Sequence, residues 1–152
     1  MPTKPKPVPK APIGERLAPL LGSWAMEATF PMAPDKPVRG TASFRWLAEP
    51  ELVQMRSRFG KGGPPTSISV IGGDDASKSF MMLYSDERGV ARHMTMTLTK
   101  KAWELSAQTL EFAQRYRGTI SADGRTIRGA WEMCEDGETW EHDFALVYTR
   151  RD

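Results

Sequence analysis

The sequence is poor in the side chains that build disulfides and metal centres. Of its 152 residues, one is a cysteine and two are histidines. Cys134 therefore has no second cysteine in the chain with which to form a disulfide. No spacing of cysteine and histidine resembles a zinc site. A disulfide-rich domain and a cysteine–histidine metal centre are both excluded.

Long apolar runs and a strong charge of one sign are missing as well. No segment approaches the roughly 18 consecutive apolar residues of a membrane helix, and we find no signal-peptide pattern ahead of the domain. The net charge is +2, but residues 1–12 contain three lysines and no acidic residue, so the rest of the chain sums to about −1. We expect a soluble, cytoplasmic protein that binds neither nucleic acid nor membranes.

The chain divides into a short tail and one domain. Residues 1–12 are rich in proline and lysine and have almost nothing apolar to bury, so we expect a disordered tail. Residues 13–152 are long enough for one domain with one sizeable core. At its start, the spacing of apolar residues predicts a short helix between Ile13 and Leu21, interrupted by Pro19.

Beyond this helix nearly every segment has the alternation of a β-strand. Short strands at regular spacing, joined by short turns, predict antiparallel neighbours, and closure into an up-and-down barrel would remove the exposed edges. We therefore predict an all-β barrel of about ten strands. The predicted strands are 24–30, 38–47, 51–59, 66–72, 78–84, 89–98, 102–106, 111–120, 126–134 and 138–148.

The dipeptide Asp123-Gly124 predicts a tight hairpin turn, because Asp-Gly suits the positive φ angles that two-residue loops require. A two-residue loop here places Tyr116 opposite Trp131 and Gly118 opposite Gly129. The large apolar residues of both strands then share one face, which supports this register.

Asp136-Gly137 predicts a second hairpin of the same kind. The resulting pairs are Trp131 with His142, Gly129 with Phe144, and Cys134 with Thr139. In this register His142 joins Tyr116 and Trp131 in one row on the apolar face. The two glycines leave room for the ring of Phe144, and Cys134 lies on the outer face, away from His142.

Alternation along the other strands predicts a barrel interior rich in methionine and aromatic residues. His93 falls on the opposite, outer face. Methionine is flexible and gives an adaptable lining, and a ten-stranded barrel has room for a ligand, so we expect a cavity. The predicted inner residues are Trp24, Met26, Phe30, Phe44, Trp46, Val53, Met55, Ile68, Val70, Phe80, Met82, Tyr84, Met94, Met96, Leu98, Trp103 and Leu105.

Two short motifs resemble those of a known family. The sequence Leu-Leu-Gly-Ser-Trp at residues 20–24 opens the first strand, and Trp-Glu-His-Asp-Phe at residues 140–144 lies in the last. Together with about ten strands, they resemble the lipocalin-like (calycin) small barrels, in particular uncharacterised bacterial members near the haem-binding nitrobindins. This resemblance implies a ten-stranded barrel, and it implies that His142 matches the histidine that holds haem iron.

Our leading hypothesis is a barrel that binds a small apolar or aromatic molecule without catalysis and without a cofactor. An apolar pocket with a few polar groups is the usual form of such a site. The alternative, implied by the resemblance, is a haem protein that acts on nitric oxide or peroxynitrite-type species, with His142 as iron ligand. A third hypothesis is acid–base catalysis by His142 with Tyr116. A homodimer is left open. The predicted ligand-binding residues are His142, Trp131, Tyr116, Gln114, Trp24, Met94, Met96 and Phe144, with Tyr148 as a further polar group.

Overall fold

A computed structural model describes residues 13–73 and 76–151. In this part of the chain, one short helix is followed by ten antiparallel strands that form a closed barrel, which confirms the predicted fold. The predicted tail, residues 1–12, lies outside the described residues. The elements are α1 (Ile13–Leu17), β1 (Gly22–Thr29), β2 (Val38–Ala48), β3 (Leu52–Phe59), β4 (Ser67–Gly73), β5 (Phe80–Asp86), β6 (Ala91–Leu98), β7 (Ala102–Gln108), β8 (Ala113–Ile120), β9 (Thr126–Cys134) and β10 (Glu141–Arg151).

Each strand pairs with its sequence neighbours, and β1 closes the barrel by pairing with β10. Seven residue pairs, from Ser23 with Arg151 to Thr29 with Ala145, make this last contact. Closure leaves none of these ten strands with an edge free to pair with another chain. The helix α1 has five residues, and nowhere in residues 13–73 and 76–151 is there a helix long and apolar enough to cross a membrane.

α1 and the turn after it close one end of the barrel. The helix ends at Leu17 rather than at the predicted Leu21, because Pro19 disfavours helical geometry in the residue before it and lacks a backbone N–H. Leu17 and Leu20 are nevertheless fully buried, so the segment acts as an apolar plug. Trp24 Nε1 donates a hydrogen bond to the Leu20 carbonyl at 2.9 Å. The Arg150 guanidinium donates to the Leu21 carbonyl at 2.6 Å and lies over the Trp24 ring.

The barrel interior next to α1 is filled by aromatic rings. Trp103 is fully buried, and its ring lies edge-on to three neighbours with centroid distances of 5.3 to 5.8 Å. Such edge-to-face pairs add to the stabilisation that comes from burying the rings. This end of the barrel is therefore a packed core. Its rings belong to Trp24, Phe44, Trp103, Tyr116 and Tyr148.

The predicted register of β8 and β9 is confirmed: Tyr116 pairs with Trp131, and Gly118 pairs with Gly129. The turn itself differs from the prediction. Of Asp123 and Gly124, only the glycine has a positive φ, and its N–H donates to the Ser121 carbonyl at 2.9 Å. Four residues, 122–125, thus separate the Ser121–Thr126 pair. A four-residue loop centred on the same position preserves the register of a two-residue loop.

The space over the paired glycines of β8 and β9 is occupied by Tyr116, and not by Phe144 as predicted. A Cβ atom on Gly118 or Gly129 would collide with the Tyr116 ring. The ring crosses β9, and its hydroxyl donates to the Leu146 carbonyl on β10 at 3.0 Å. An aromatic ring that covers strand glycines is a recognised stabilising arrangement in sheets.

The predicted register of β9 and β10 is wrong. The connection between them has six residues, 135–140, because the Asp136 carboxylate accepts hydrogen bonds from the backbone N–H groups of Glu138 and Thr139 and draws the chain into a wider turn. A bulge between His142 and Phe144 shifts the pairing further. Trp131 pairs with Phe144, whereas His142 pairs with Glu132.

This change of register moves His142 out of the interior. Its side chain is exposed, and its partner Glu132 forms ion pairs with Arg115 and Arg117. Cys134 keeps the predicted outer face, because it lies two residues after Glu132 on β9. It is nevertheless buried, and its Sγ lies 3.6 Å from the Asp136 carboxylate in the turn.

The predicted inner face of β4 is inverted. Ile68 is exposed, whereas Ser69 and Ile71 are buried. Cross-strand partners share a face, and the pairing of Met55 with Ser69 places the serine inside. The prediction followed the two apolar residues Ile68 and Val70, although the alternate residues also contain an isoleucine. The prediction that His93 lies outside is confirmed.

We predict that Gly129→Ala destabilises the barrel by about 1–3 kcal/mol, the usual cost of overpacking a filled core. The added methyl group would collide with Tyr116 and with the Arg117 carbonyl. Urea denaturation measures the change. The control is Gly60→Ala, where the nearest atom to a new Cβ is 3.6 Å away, and this variant should unfold like the parent. Equal stability of the two variants would contradict the close packing of Tyr116 on Gly129.

Candidate functional site

A cavity of about 440 Å³ occupies the end of the barrel opposite α1. Its floor is the aromatic core, and its mouth is surrounded by the loops after β1, β3, β5, β7 and β9. The strands contribute alternate, inward-facing side chains, and the β3–β4 loop contributes residues 62–65. The residues that line it are Met26, Phe30, Met55, Ser57, Phe59, Gly62, Gly63, Pro64, Pro65, Ser67, Ser69, Met82, Tyr84, Arg88, Arg92, Met94, Leu105, Phe112, Gln114, Trp131, Asp143, Phe144, Leu146 and Tyr148.

One side of the cavity is aromatic. We call the side chains of Phe30, Trp131 and Phe144 the aromatic wall; they come from the end of β1, from β9 and from β10. The Phe30 and Phe144 rings are in contact, with centroids 5.0 Å apart. Because β1, β10 and β9 are consecutive around the barrel, these rings form a continuous apolar surface.

The other side of the cavity carries polar groups, which we call the polar wall: Ser57, Ser67, Ser69, Tyr84, Arg92 and Gln114. The hydroxyls of Ser57 and Ser67 share a hydrogen bond of 2.7 Å. Tyr84 pairs in register with Ser69 on one side and with Arg92 on the other, so these three side chains form one row across β4, β5 and β6. Arg92 Nη1 donates to Gln114 Oε1 at 2.9 Å, and its guanidinium lies over the Phe112 ring.

A buried carboxylate, Asp86, holds the rim of the polar wall in place. It accepts hydrogen bonds from the Tyr84 hydroxyl at 2.7 Å and from the Arg88 backbone N–H at 2.9 Å. The Arg88 guanidinium also donates to it, at 2.8 Å. The hydrogen bonds from Arg88 keep the pKa of Asp86 well below its usual range. Burial, together with the hydrogen bond to Asp86, raises the pKa of Tyr84, which therefore remains a neutral donor.

Among the described residues, Asp143 is the carboxylate that lines the cavity itself. It lies at the bulge in β10, between the exposed His142 and the inward Phe144. Burial raises the pKa of this carboxyl group, and the neighbouring His142 partly opposes the shift. The group is thus easier to protonate than an exposed aspartate.

The predicted site residues fall into three groups. Gln114, Trp131, Met94 and Phe144 line the cavity, and Tyr148 lies at its floor. Tyr116, Trp24 and Met96 are buried in the core below and do not reach the cavity. His142 is exposed outside.

His142 and Tyr116 do not form the acid–base pair of our third hypothesis. Tyr116 is fully buried, and its hydroxyl is bonded to the Leu146 carbonyl. The exposed His142 does not fit the role of a haem ligand in this cavity either. Across residues 13–73 and 76–151, no group of three or more histidine, cysteine or acidic side chains could hold a metal ion.

Most residues of the polar wall were not predicted from the sequence, although the strand alternation indicates two of them. Ser57 follows Val53 and Met55 at the spacing of one strand face, and Arg92 precedes Met94 and Met96 in the same way. Extending each apolar alternation by one step would have placed both polar residues inside. Arg88 had no such signal, because it lies in a turn and its position depends on Asp86.

The fold and the cavity together define a calycin-like barrel with one open end. No protein-family model matches this chain, and no curated protein matches it either. Among solved structures, the chain is similar to Rv2717c from M. tuberculosis, with a TM-score of 0.63 and 19% identity over 93% of this chain and 99% of that one. It is also similar to the S-type phycobiliprotein lyase CPES from Guillardia theta, with a TM-score of 0.59 and 12% identity over 94% of each chain. At such low identity these similarities show the fold alone.

We predict that Asp86→Asn destabilises the protein by about 2 kcal/mol at neutral pH, because charge-assisted hydrogen bonds are lost. A carboxylate whose folded pKa is lowered contributes stability above its unfolded pKa, near 3.8, and this contribution is lost as the pH falls through the folded pKa. The difference in unfolding free energy between parent and variant should therefore shrink below about pH 3.8.

Chemical denaturation at several pH values measures this difference. Asp35→Asn, in an exposed turn, is the control and should unfold like the parent throughout. The difference in unfolding free energy between parent and Asp86→Asn could instead stay constant down to pH 2. That result would show that the charge of Asp86 does not stabilise the rim of the polar wall.

Proposed function

We propose that this barrel binds a small apolar or aromatic molecule non-covalently in its open-ended cavity and performs no chemistry on it. The observation that carries the proposal is the cavity itself, about 440 Å³ with a continuous aromatic wall. Ligand pockets typically have volumes of about 300–1,000 Å³ and combine apolar linings with a few oriented polar groups.

The methionines of the cavity support the binding of a ligand. Met26, Met55, Met82 and Met94 line it, and an unbranched thioether side chain adapts its shape to an apolar surface. Together with the aromatic wall, they offer a ligand contacts on several sides.

The titratable groups of the cavity favour binding over catalysis. Tyr84 and Arg88 are both hydrogen-bonded to Asp86, and the lowered pKa of Asp86 makes this carboxylate a weak base. A general base works best with a pKa near the working pH. Asp143 has no hydrogen-bonded acid, base or nucleophile beside it among the described residues.

The proposal is tested with phenylnaphthylamine, a neutral apolar dye that fluoresces when it leaves water. Met82→Trp adds a bulky ring inside the cavity, whereas Met81→Trp places the same ring on the outer face of the same strand. We expect the dye to bind the parent and Met81→Trp equally, and to bind Met82→Trp at least tenfold more weakly.

Met82→Phe, a smaller change, covers the case in which the tryptophan variant does not fold, and it should weaken binding in the same direction. Circular dichroism establishes that each variant is folded. If the dye does not bind the folded parent, or binds Met82→Trp and Met81→Trp alike, the proposed site is wrong.

The haem hypothesis is tested by a separate titration with hemin. Since His142 is exposed and does not line the cavity, His142→Ala should leave any Soret absorption unchanged. His93→Ala, on the outer face of β6, is the matched control. Loss of the Soret band in His142→Ala alone would restore the histidine-ligated haem protein as the better hypothesis.

A further inference from the structure

Arg92 carries a positive charge into the cavity, and no carboxylate among the described residues forms an ion pair with it. Its hydrogen bond goes to the neutral amide of Gln114, and none of the ion pairs within residues 13–73 and 76–151 involves it. The other arginine of the cavity differs, because Asp86 neutralises Arg88 at 2.8 Å. The net positive charge of the polar wall therefore comes from Arg92.

Ser69 lies two strands from Arg92 in the same row, with Tyr84 between them, and its hydroxyl has no partner among the described residues. The residue is 2% exposed and faces the cavity. A buried hydroxyl left without a partner is destabilising, typically by about 1–3 kcal/mol. A ligand oxygen at this point would remove that cost.

Among the described residues, the other charged group that lines the cavity without an ion-pair partner is Asp143, and it lies on the far side. In the barrel order, three strands separate β10 from β6 in one direction and five in the other. Asp143 therefore belongs with the aromatic wall, where burial raises the pKa of its carboxyl group. A negatively charged ligand group at the polar wall would therefore lie on the opposite side of the cavity from Asp143.

We propose that the ligand is an amphipathic carboxylate. Its apolar or aromatic body lies against the aromatic wall, and its carboxylate accepts hydrogen bonds from the Arg92 guanidinium and the Ser69 hydroxyl. A guanidinium can donate two parallel hydrogen bonds to a carboxylate, which fixes the orientation of the ligand as well as its charge. This inference rests on the proposed function and narrows it to one chemical class.

The test uses three compounds with the same apolar body: a biphenyl monocarboxylate, the corresponding primary amide and the corresponding benzylic amine. Their affinities are measured by isothermal titration calorimetry and by displacement of phenylnaphthylamine. We expect the carboxylate to bind at least tenfold more tightly than the amide, and the amine to bind most weakly.

Two substitutions in the polar wall assign this preference to its residues. Arg92→Met removes the charge and retains most of the volume, and it should weaken carboxylate binding about ten- to a hundredfold, while the affinity for the amide changes little. Arg92→Lys should restore part of the loss. Arg128→Met, on the outer face of β9, is the matched control and should bind all three compounds like the parent.

Ser69→Ala separates a binding role from a structural one. It should weaken carboxylate binding about three- to tenfold while leaving the thermal stability of the free protein unchanged or higher, because the hydroxyl has no partner to lose. A loss of stability in the free protein would show that the hydroxyl is bonded within the protein and is not available to a ligand.

The outcomes distinguish this inference from the proposed function. If the dye and all three compounds bind the parent alike, and Arg92→Met changes nothing, the carboxylate class is rejected while the apolar site stands. If neither the dye nor any compound binds, both are rejected. If only the carboxylate binds, and only when Arg92 is present, the carboxylate class is supported, and the proposal that an uncharged apolar molecule suffices is rejected.

Discussion

Backbone hydrogen bonds between β1 and β10 turn a ten-stranded meander into a closed wall, and the interior exists only because of them. An open sheet of the same strands would leave two edges unpaired and one apolar face in water. Closure also explains why residues at the two ends of the chain contact each other. Arg150, near the end of β10, bonds to the carbonyl groups of Pro19 and Leu21 beside α1.

Closure creates an interior that is filled at one end and open at the other. Next to α1, the rings of Trp24, Phe44 and Trp103 pack against two tyrosines, and Leu17 and Leu20 seal the end. Glycines at positions 118 and 129 allow Tyr116 to cross β9 and bond to β10. At the other end, serines and methionines occupy the inner face, and their smaller or more flexible side chains leave the cavity unfilled.

The cavity has two chemically different sides, and strand order separates them. The aromatic wall comes from β1, β9 and β10, while the polar wall comes from β3 to β6 and, with Gln114, from β8. The Asp86 carboxylate neutralises Arg88 and leaves the charge of Arg92 uncompensated. The proposed amphipathic ligand would be oriented by this separation, with its apolar part toward the aromatic wall and its charge toward Arg92.

The sequence by itself determined the number of strands, their approximate bounds and the β8–β9 register, because alternation and turn residues act locally. It also placed Trp131, Phe144, Met94 and Gln114 on the inner face, where they line the cavity. The side of the wall on which His142 lies depended instead on the turn around Asp136 and the bulge beside Asp143. The inner face of β4 depended on its pairing with β3. These features were decided by the tertiary structure, because a shift of one residue moves every later side chain to the opposite face, and only contacts between distant residues fix that shift.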